Sequence, residues 1–454
     1  MRRYGLPLLI LLLLCGNLVR IQVNLVAFKN TAIVPAEIAL GAIGLLLLAR
    51  KLRQKRLFLY NASLIVPMLL FVLAAGISLG VNTHYYRLHS YEVLISATYL
   101  LRWAFYCLPY VFVVELVRTQ KDVKELLWSV SIGVFLFSVF GIFQAFLMPD
   151  FAFMLNPTAR VGLDWDVQHD RLVSTLLDPN FAGCLIAMGL AGSVAFLQEG
   201  YRKAWLLIPV FGLALLLTYS RGSILSFLIA FVYLIVTGRG KKRLLAAALA
   251  LGLIPLVLAP YLLPRAVQYA RLGFSDYSAR GRIYSWKLCL DLIRDNPVFG
   301  IGFNTTPYVV PRLPYDWGLG GYMPIGAPSF EVTGGLLTIF VLSGLIGTAC
   351  YCFLLGKVLW MGHAVYTRSP DRLYRSFAQS VSASTIIWVV SSFFTLTILY
   401  VFLMGLMWIV FGLLNVCYTE VRKGTTMPAA TTASALTPGR RFSVAVRGLS
   451  VPAR

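Results

Sequence analysis

The chain predicts an all-α, polytopic helical membrane protein with about 12 transmembrane helices, each an apolar run of about 17–25 residues. Three observations carry this. Of the 454 residues, 59% are hydrophobic and only 13% charged, about half the charged share of a soluble domain. The mean hydropathy is +0.77. The charge that remains falls in short basic runs between apolar segments, such as 50–56 and 239–243.

The spans are expected at 5–24, 31–49, 60–81, 93–117, 127–147, 179–198, 204–220, 222–238, 244–263, 332–356, 378–397 and 399–417. The first follows Arg2 and Arg3 like a signal peptide, but no small-residue cleavage site follows it, so it reads as a retained helix. With both termini in the cytoplasm, most of the 40 Lys and Arg lie inside, as the insertion bias requires. That orientation places two loops outside, 149–178 and 264–330, the second between spans 9 and 10. Residues 1–424 form the membrane domain, and 425–454, rich in Thr, Ala, Ser, Pro and Arg, read as a disordered cytoplasmic tail. No internal repeat is evident.

The net charge of +22 follows the positive-inside pattern and favours membrane lipids as partners, not nucleic acid. The seven cysteines show no CxxC or Cys/His spacing, so neither a disulfide framework nor a metal site is expected. Asp164, Asp166, His169 and Asp170 cluster without calcium-loop spacing and read as a solvated loop.

The loop 264–330 is basic, with Arg265, Arg271, Arg280, Arg282, Lys287, Arg294 and Arg312. Within it Ile283, Trp286, Leu290 and Ile293 recur at helical spacing, which predicts an amphipathic helix at the membrane surface. Pro297 ends that helix. Gly300-Ile301-Gly302 forms a tight turn, serving either packing or a ligand. Arg221 lies where one span turns into the next; a guanidinium so near the bilayer is paired, functional or snorkelling. Arg102, inside the fourth span, is a candidate to pair with Glu37 or to line a cavity. Asp178-Pro179-Asn180 starts a helix, with Asp178 as its cap.

Several motifs occur in order: Arg171 to Asn180 before a span, Thr218-Tyr219-Ser220-Arg221-Gly222, Arg282 with Trp286, Pro297 with Gly300 and Gly302, then Leu342-Ser343-Gly344 with Gly347. Together they resemble the O-antigen ligase and O-antigen polymerase superfamily of bacterial envelope proteins, most closely over residues 178–356. The resemblance implies a glycosyltransferase C-type fold in the cytoplasmic (inner) membrane, with the active site on the extracytoplasmic side. It implies an enzyme that transfers a glycan from a polyprenyl-diphosphate (undecaprenyl-diphosphate) carrier to a glycan or lipid-glycan acceptor, without cofactor or metal. Arg221 and Arg282 stand at the family's two essential arginine positions. Two guanidinium forks suit a diphosphate and the charge developing on it, with Arg171, Arg280, Gly300 and Gly302 as further donor contacts.

The resemblance has one gap. The family's ligases carry a histidine at the start of the span after the large loop, where this chain has Thr333. Glu331, two residues upstream, is the candidate acceptor-activating base, His169 the other option; a capping role for Glu331 stands beside it. The missing histidine tilts the expectation from a strict lipid A-core ligase towards a polymerase or a divergent ligase of another surface glycan. A transporter of a small anion or a lipid-linked glycan, and a family member without transferase activity, are the alternatives.

Overall fold

A computed structural model describes residues 4–19, 21–25, 28–54, 62–155, 171–257, 259–260, 264, 267, 277–313 and 332–424; of residues 21–33 and 277–280 it describes the backbone only. The expected loop residues 156–170 and 314–331, with His169 and Glu331, and the tail from 425 lie outside the described residues.

Every apolar run holds a helix: α1 Gly5–Cys15, α2 Pro35–Arg53, α3 Ile65–Tyr85, α4 Ser90–Phe105, α5 Leu108–Leu116, α6 Gln120–Leu147, then a short α7 Phe151–Leu155. After these come α8 Pro179–Gln198, α9 Ala204–Leu217, α10 Arg221–Thr237, α11 Lys241–Val257, α12 Tyr277–Asp295, α13 Thr306–Val309, α14 Leu336–Arg368, α15 Arg372–Ser392 and α16 Val401–Lys423. Among the described residues, six crossings are long and apolar enough to span a bilayer: α3, α4 with α5, α6, α8, α14 and α16. Helices α1, α9 and α10 are apolar but shorter.

Two details depart from the sequence reading. The first span ends at Cys15, because Gly16 turns to φ +54 and Asn17 is tied by its amide to the Leu176 carbonyl (2.7 Å) and the Tyr400 hydroxyl (3.0 Å). A short antiparallel hairpin comes after it, Ile21–Leu25 against Phe28–Ile33. The span at 93–117 is broken between Phe105 and Leu108, where Pro109 has no amide hydrogen to continue the helix. On α12 the buried side is Cys289 and Leu292, with Trp286 and Ile293 half-buried, while Ile283 (46%) and Leu290 (55%) are exposed. Packing of α12 against α14 covers part of its apolar face.

The core is organised around α15, which packs against α8, α10 and α14. Its serines make this possible. A Cβ on Gly192 of α8 would lie 2.8 Å from Ser380 Oγ, and one on Gly362 of α14 would run into Ser382 Oγ. Small residue against small residue lets helices approach closely in a medium where lipid tails compete for apolar faces. Helix α16 is the most enclosed, seated against α5 and α14.

The ends of the helices sort into two groups. One gathers segments 16–19, 82–96, 171–178, 218–221, 282–313, 332–335 and 393–400, through bonds such as Tyr86 to Asn296 (2.7 Å) and Glu92 to Arg312 (2.6 Å). The other gathers basic helix ends: Lys51 with Glu115 (2.6 Å), Arg375 with Glu199 (2.8 Å), and Arg243 with the Gln198 carbonyl (2.7 Å). The alternation of these two sets along the chain is the pattern a bundle of crossings produces.

Helix α14 is interrupted at Gly344 (φ 65, ψ −168). The segment Pro297–Gly302 fills the break. Ile301 donates to the Val341 carbonyl (2.8 Å), Leu345 to that of Pro297 (3.0 Å), and Ser78 Oγ to that of Leu342 (3.1 Å) and that of Phe299. The backbone groups freed by the break are thus met by protein.

Candidate functional site

The site forms around the turn 393–400, between α15 and α16. Trp388 Nε1 donates to the Thr397 carbonyl (2.8 Å) and Thr397 Oγ1 returns a bond to the Trp388 carbonyl (3.0 Å). The turn is thereby locked to α15. Arg282, one turn into α12, donates from Nε to the Phe394 carbonyl at 3.0 Å. Trp286, one helical turn further, donates to the Phe393 carbonyl at 2.8 Å and sets its ring against Phe394.

Arg221 approaches the same residue from α10. It is the first helical residue, after the cap Ser220, and is exposed. Gly222 beside it is buried against Phe394, where a Cβ would come within 2.7 Å. The preceding turn is held by Ser220 Oγ to Asn180 Oδ1 (2.9 Å) and by Tyr219 at φ +48. Phe394 is therefore flanked by the Arg282 bond on one side and the Arg221-Gly222 turn on the other.

Arg171 joins from the segment before α8. Its Nε donates to the Thr218 carbonyl at 2.9 Å, and Leu172 N to that of Leu217 at 2.9 Å, so the chain before α8 runs along the Arg221 turn. Asp178 caps α8 through Oδ1, accepting from Asn180 N (2.7 Å) and Phe181 N (3.0 Å). Burial pushes its carboxyl above the usual value; the Phe181 amide, Arg171, the Asn180 amide and Arg282 each pull it down without cancelling that rise. The two guanidiniums thus act on one carboxylate at the mouth of α8. Asparagine caps as well as aspartate. Asp178→Asn should hold the unfolding free energy within about 0.5 kcal/mol, while Asp178→Ala should cost about 1 kcal/mol in thermal unfolding of the purified protein.

Of the remaining expected residues, the Arg280 side chain and Glu331 lie outside the described residues. Gly300 and Gly302, taken as donor contacts, pack against protein. Gly300 sits at φ +64 with the Gly344 amide 2.8 Å from where its Cβ would be, and Gly302 at φ +102 lies against Thr305 and Asn82. Their left-handed backbone shapes the plug in α14. Thr333, where the resemblance leads one to expect a histidine, is engaged with Ser285 of α12: its amide donates to Ser285 Oγ (2.7 Å), which donates to the Thr333 carbonyl (3.0 Å).

Arg102 meets both halves of its expectation. Its Nε pairs with Glu37 Oε1 at 2.6 Å, and it lines a cavity of about 290 Å³. That cavity borders the turn 393–400. Leu396, Leu399 and Tyr400 form its wall, and Phe181, Asn304 and Val332 also line it. Sequence reasoning missed Phe394, Tyr400, Asn17 and Asn304. The only signal was the polar, aromatic run Ser391 to Tyr400 between two apolar spans.

Fold and site together define a helical membrane protein with arginines from three chain segments collected around one turn at one end. Residues 204–352, from α9 to the middle of α14, match the family model described as O-antigen ligase. The match covers about a third of the chain and supports the O-antigen ligase and O-antigen polymerase superfamily for that segment. The matched segment holds Arg221 and Arg282, while Arg171 and the turn 393–400 lie outside it. No curated protein matches the chain.

Proposed function

We propose that the protein is a membrane glycosyltransferase of glycosyltransferase C type, with about 12 crossings, that ligates or polymerises a polyprenyl-diphosphate-linked glycan on the extracytoplasmic face of the inner membrane. The observation that carries this is the convergence on Phe394 of Arg282 and the Arg221 turn, both inside the O-antigen ligase segment. The basic helix ends at Arg50, Lys51, Lys241, Arg243 and Arg372 belong to the opposite end, which supports an outward-facing site.

An acceptor hydroxyl attacks the anomeric carbon of the donor sugar. A new glycosidic C–O bond forms as the bond from that carbon to the diphosphate oxygen breaks, and the lipid diphosphate leaves with the bonding electron pair. Arg221 and Arg282 take the charge that develops on it, with Arg171 and Arg280 as flanking contacts. The hydroxyl proton passes to Glu331. The chain neighbour of that residue, Val332, lines the cavity, which supports placing an acceptor hydroxyl there. The interruption of α14 lends nothing to a transporter, because the chain's own backbone fills it.

Two variants test this in cells, with surface glycan resolved on gels. Arg221→Ala should abolish chain extension or attachment while the protein inserts normally; unchanged glycan would end the transferase reading. Glu331→Gln should lower transfer by about 10²–10⁴-fold, the usual worth of a positioned base. Normal glycan with glutamine at 331 would make that residue a helix cap.

A further inference from the structure

We propose that the cavity bordering the turn 393–400 is a subsite for an uncharged saccharide unit, recognised through its hydroxyls; this rests on the transferase reading and narrows its substrate. A volume of about 290 Å³ lies at the small end of ligand pockets, a size that holds about one sugar ring. The polar groups facing it are of the kind that read hydroxyls. Asn17 uses both amide hydrogens on Leu176 and Tyr400. Its carbonyl oxygen then accepts no hydrogen bond from a described residue and is placed to take one from a sugar. Asn304 holds a left-handed backbone (φ 57) that aspartate and asparagine tolerate better than most. Its carboxamide lines the cavity with no hydrogen bond among the described residues, and the Thr306 hydroxyl does likewise.

Flat apolar faces complete the chemistry. Phe181 and Tyr400 stack at 3.7 Å and 2° as a rigid double plate in the wall, the kind of surface on which the C–H face of a pyranose lies. The turn that carries Tyr400 also carries Phe394, so one short element contacts both Arg282 and this space. Charge sets the selectivity. Among the described residues, the one cation lining the cavity, Arg102, is already answered by Glu37 at 2.6 Å. A carboxylate-bearing sugar would have to displace that ion pair or sit beside the Glu37 anion. A neutral hexose or N-acetylhexosamine meets no such cost.

The test uses the full chain in nanodiscs and saturation-transfer NMR with methyl glucoside, methyl N-acetylglucosaminide and methyl glucuronide. Both neutral glycosides should bind, and the glucuronide at least about fivefold more weakly. Asn304→Gly suits the left-handed backbone and Thr306→Val keeps the shape, so each should fold while weakening neutral glycosides by about three- to tenfold, one hydrogen bond's worth. Equal binding of the glucuronide, or unchanged binding in the double variant, overturns the subsite. In a transfer assay the double variant should raise KM; a rise for the lipid-linked donor alone assigns the sugar to the donor, a rise for the acceptor alone to the acceptor. If Arg221→Ala and Arg282→Lys leave surface glycan unchanged while Asn304 and Thr306 still govern sugar binding, the subsite stands and the transferase reading falls. If the arginine variants abolish transfer and the double variant binds as the parent does, the reverse holds.

Discussion

Replacing Arg282 by lysine is expected to lower glycan transfer by about 10²–10³-fold, the scale of losing one preorganised donor to a developing anion, with insertion and melting temperature unchanged. The guanidinium plane of Arg282 is set by its Nε bond to the Phe394 carbonyl. A fork held in that way can address two phosphate oxygens at once. Lysine ends in a single ammonium, so it can keep the backbone bond or reach the anion, and it supplies no planar pair for either task. The turn itself should survive, because Trp286 still donates to the Phe393 carbonyl and the Trp388–Thr397 pair still locks the loop. Surface glycan on gels, read beside the thermal unfolding of purified protein, checks both halves. Normal glycan from a normally inserted lysine variant would remove Arg282 from the clamp.

The largest effect on folding is expected at Gly344. Its backbone (φ 65, ψ −168) lies in a region that is essentially closed to residues with a Cβ. A Cβ there would also collide with the Val298 carbonyl and lie 2.5 Å from the Phe299 amide. Gly344→Val should therefore expel the Pro297–Gly302 plug and strip the bonds that Ile301 and Leu345 make across the break. We expect a loss of about 3–5 kcal/mol, from backbone strain plus two or three unmade hydrogen bonds. Phe303 and Asn304, which line the cavity, come directly after that plug and should move with it. The control lies in the same helix: Gly356 has open space around it, and Gly356→Ala should be neutral or stabilising by up to about 1 kcal/mol. Equal melting temperatures for the two variants would show that the break is not what holds the plug.

How much of this was legible depends on the range of the interaction. Asp178 as a cap could be read from three consecutive residues, because a cap bonds amides two and three positions away. The pairing of Arg102 with Glu37 could be inferred across 65 positions, since a charge inside a span must find an opposite one nearby. The glycine pair 300 and 302 was legible as a tight turn, but its packing into the break in α14 was not. The apolar spacing of α12 left its neighbours open, because a stripe does not say which of its residues meet protein and which meet lipid. Ile283 and Leu290 are as compatible with lipid as with a core.

The sequence by itself determined that this is a helical membrane protein, where its helices run, and that its motifs in their order resemble those of O-antigen ligases and polymerases. Those properties arise from hydrocarbon thickness, backbone hydrogen bonding and local motif spacing, all of which act along the chain. Only the tertiary structure decided that Arg171, Arg221 and Arg282 meet around a turn at 393–400, and that a cavity with unengaged amide and hydroxyl groups borders it. The physical reason is that Phe394 and Tyr400 carry no charge or motif of their own. Their place in the site comes from α15 being drawn in close between α8 and α14 by small residues, a packing contact between segments far apart in the chain that no local pattern records.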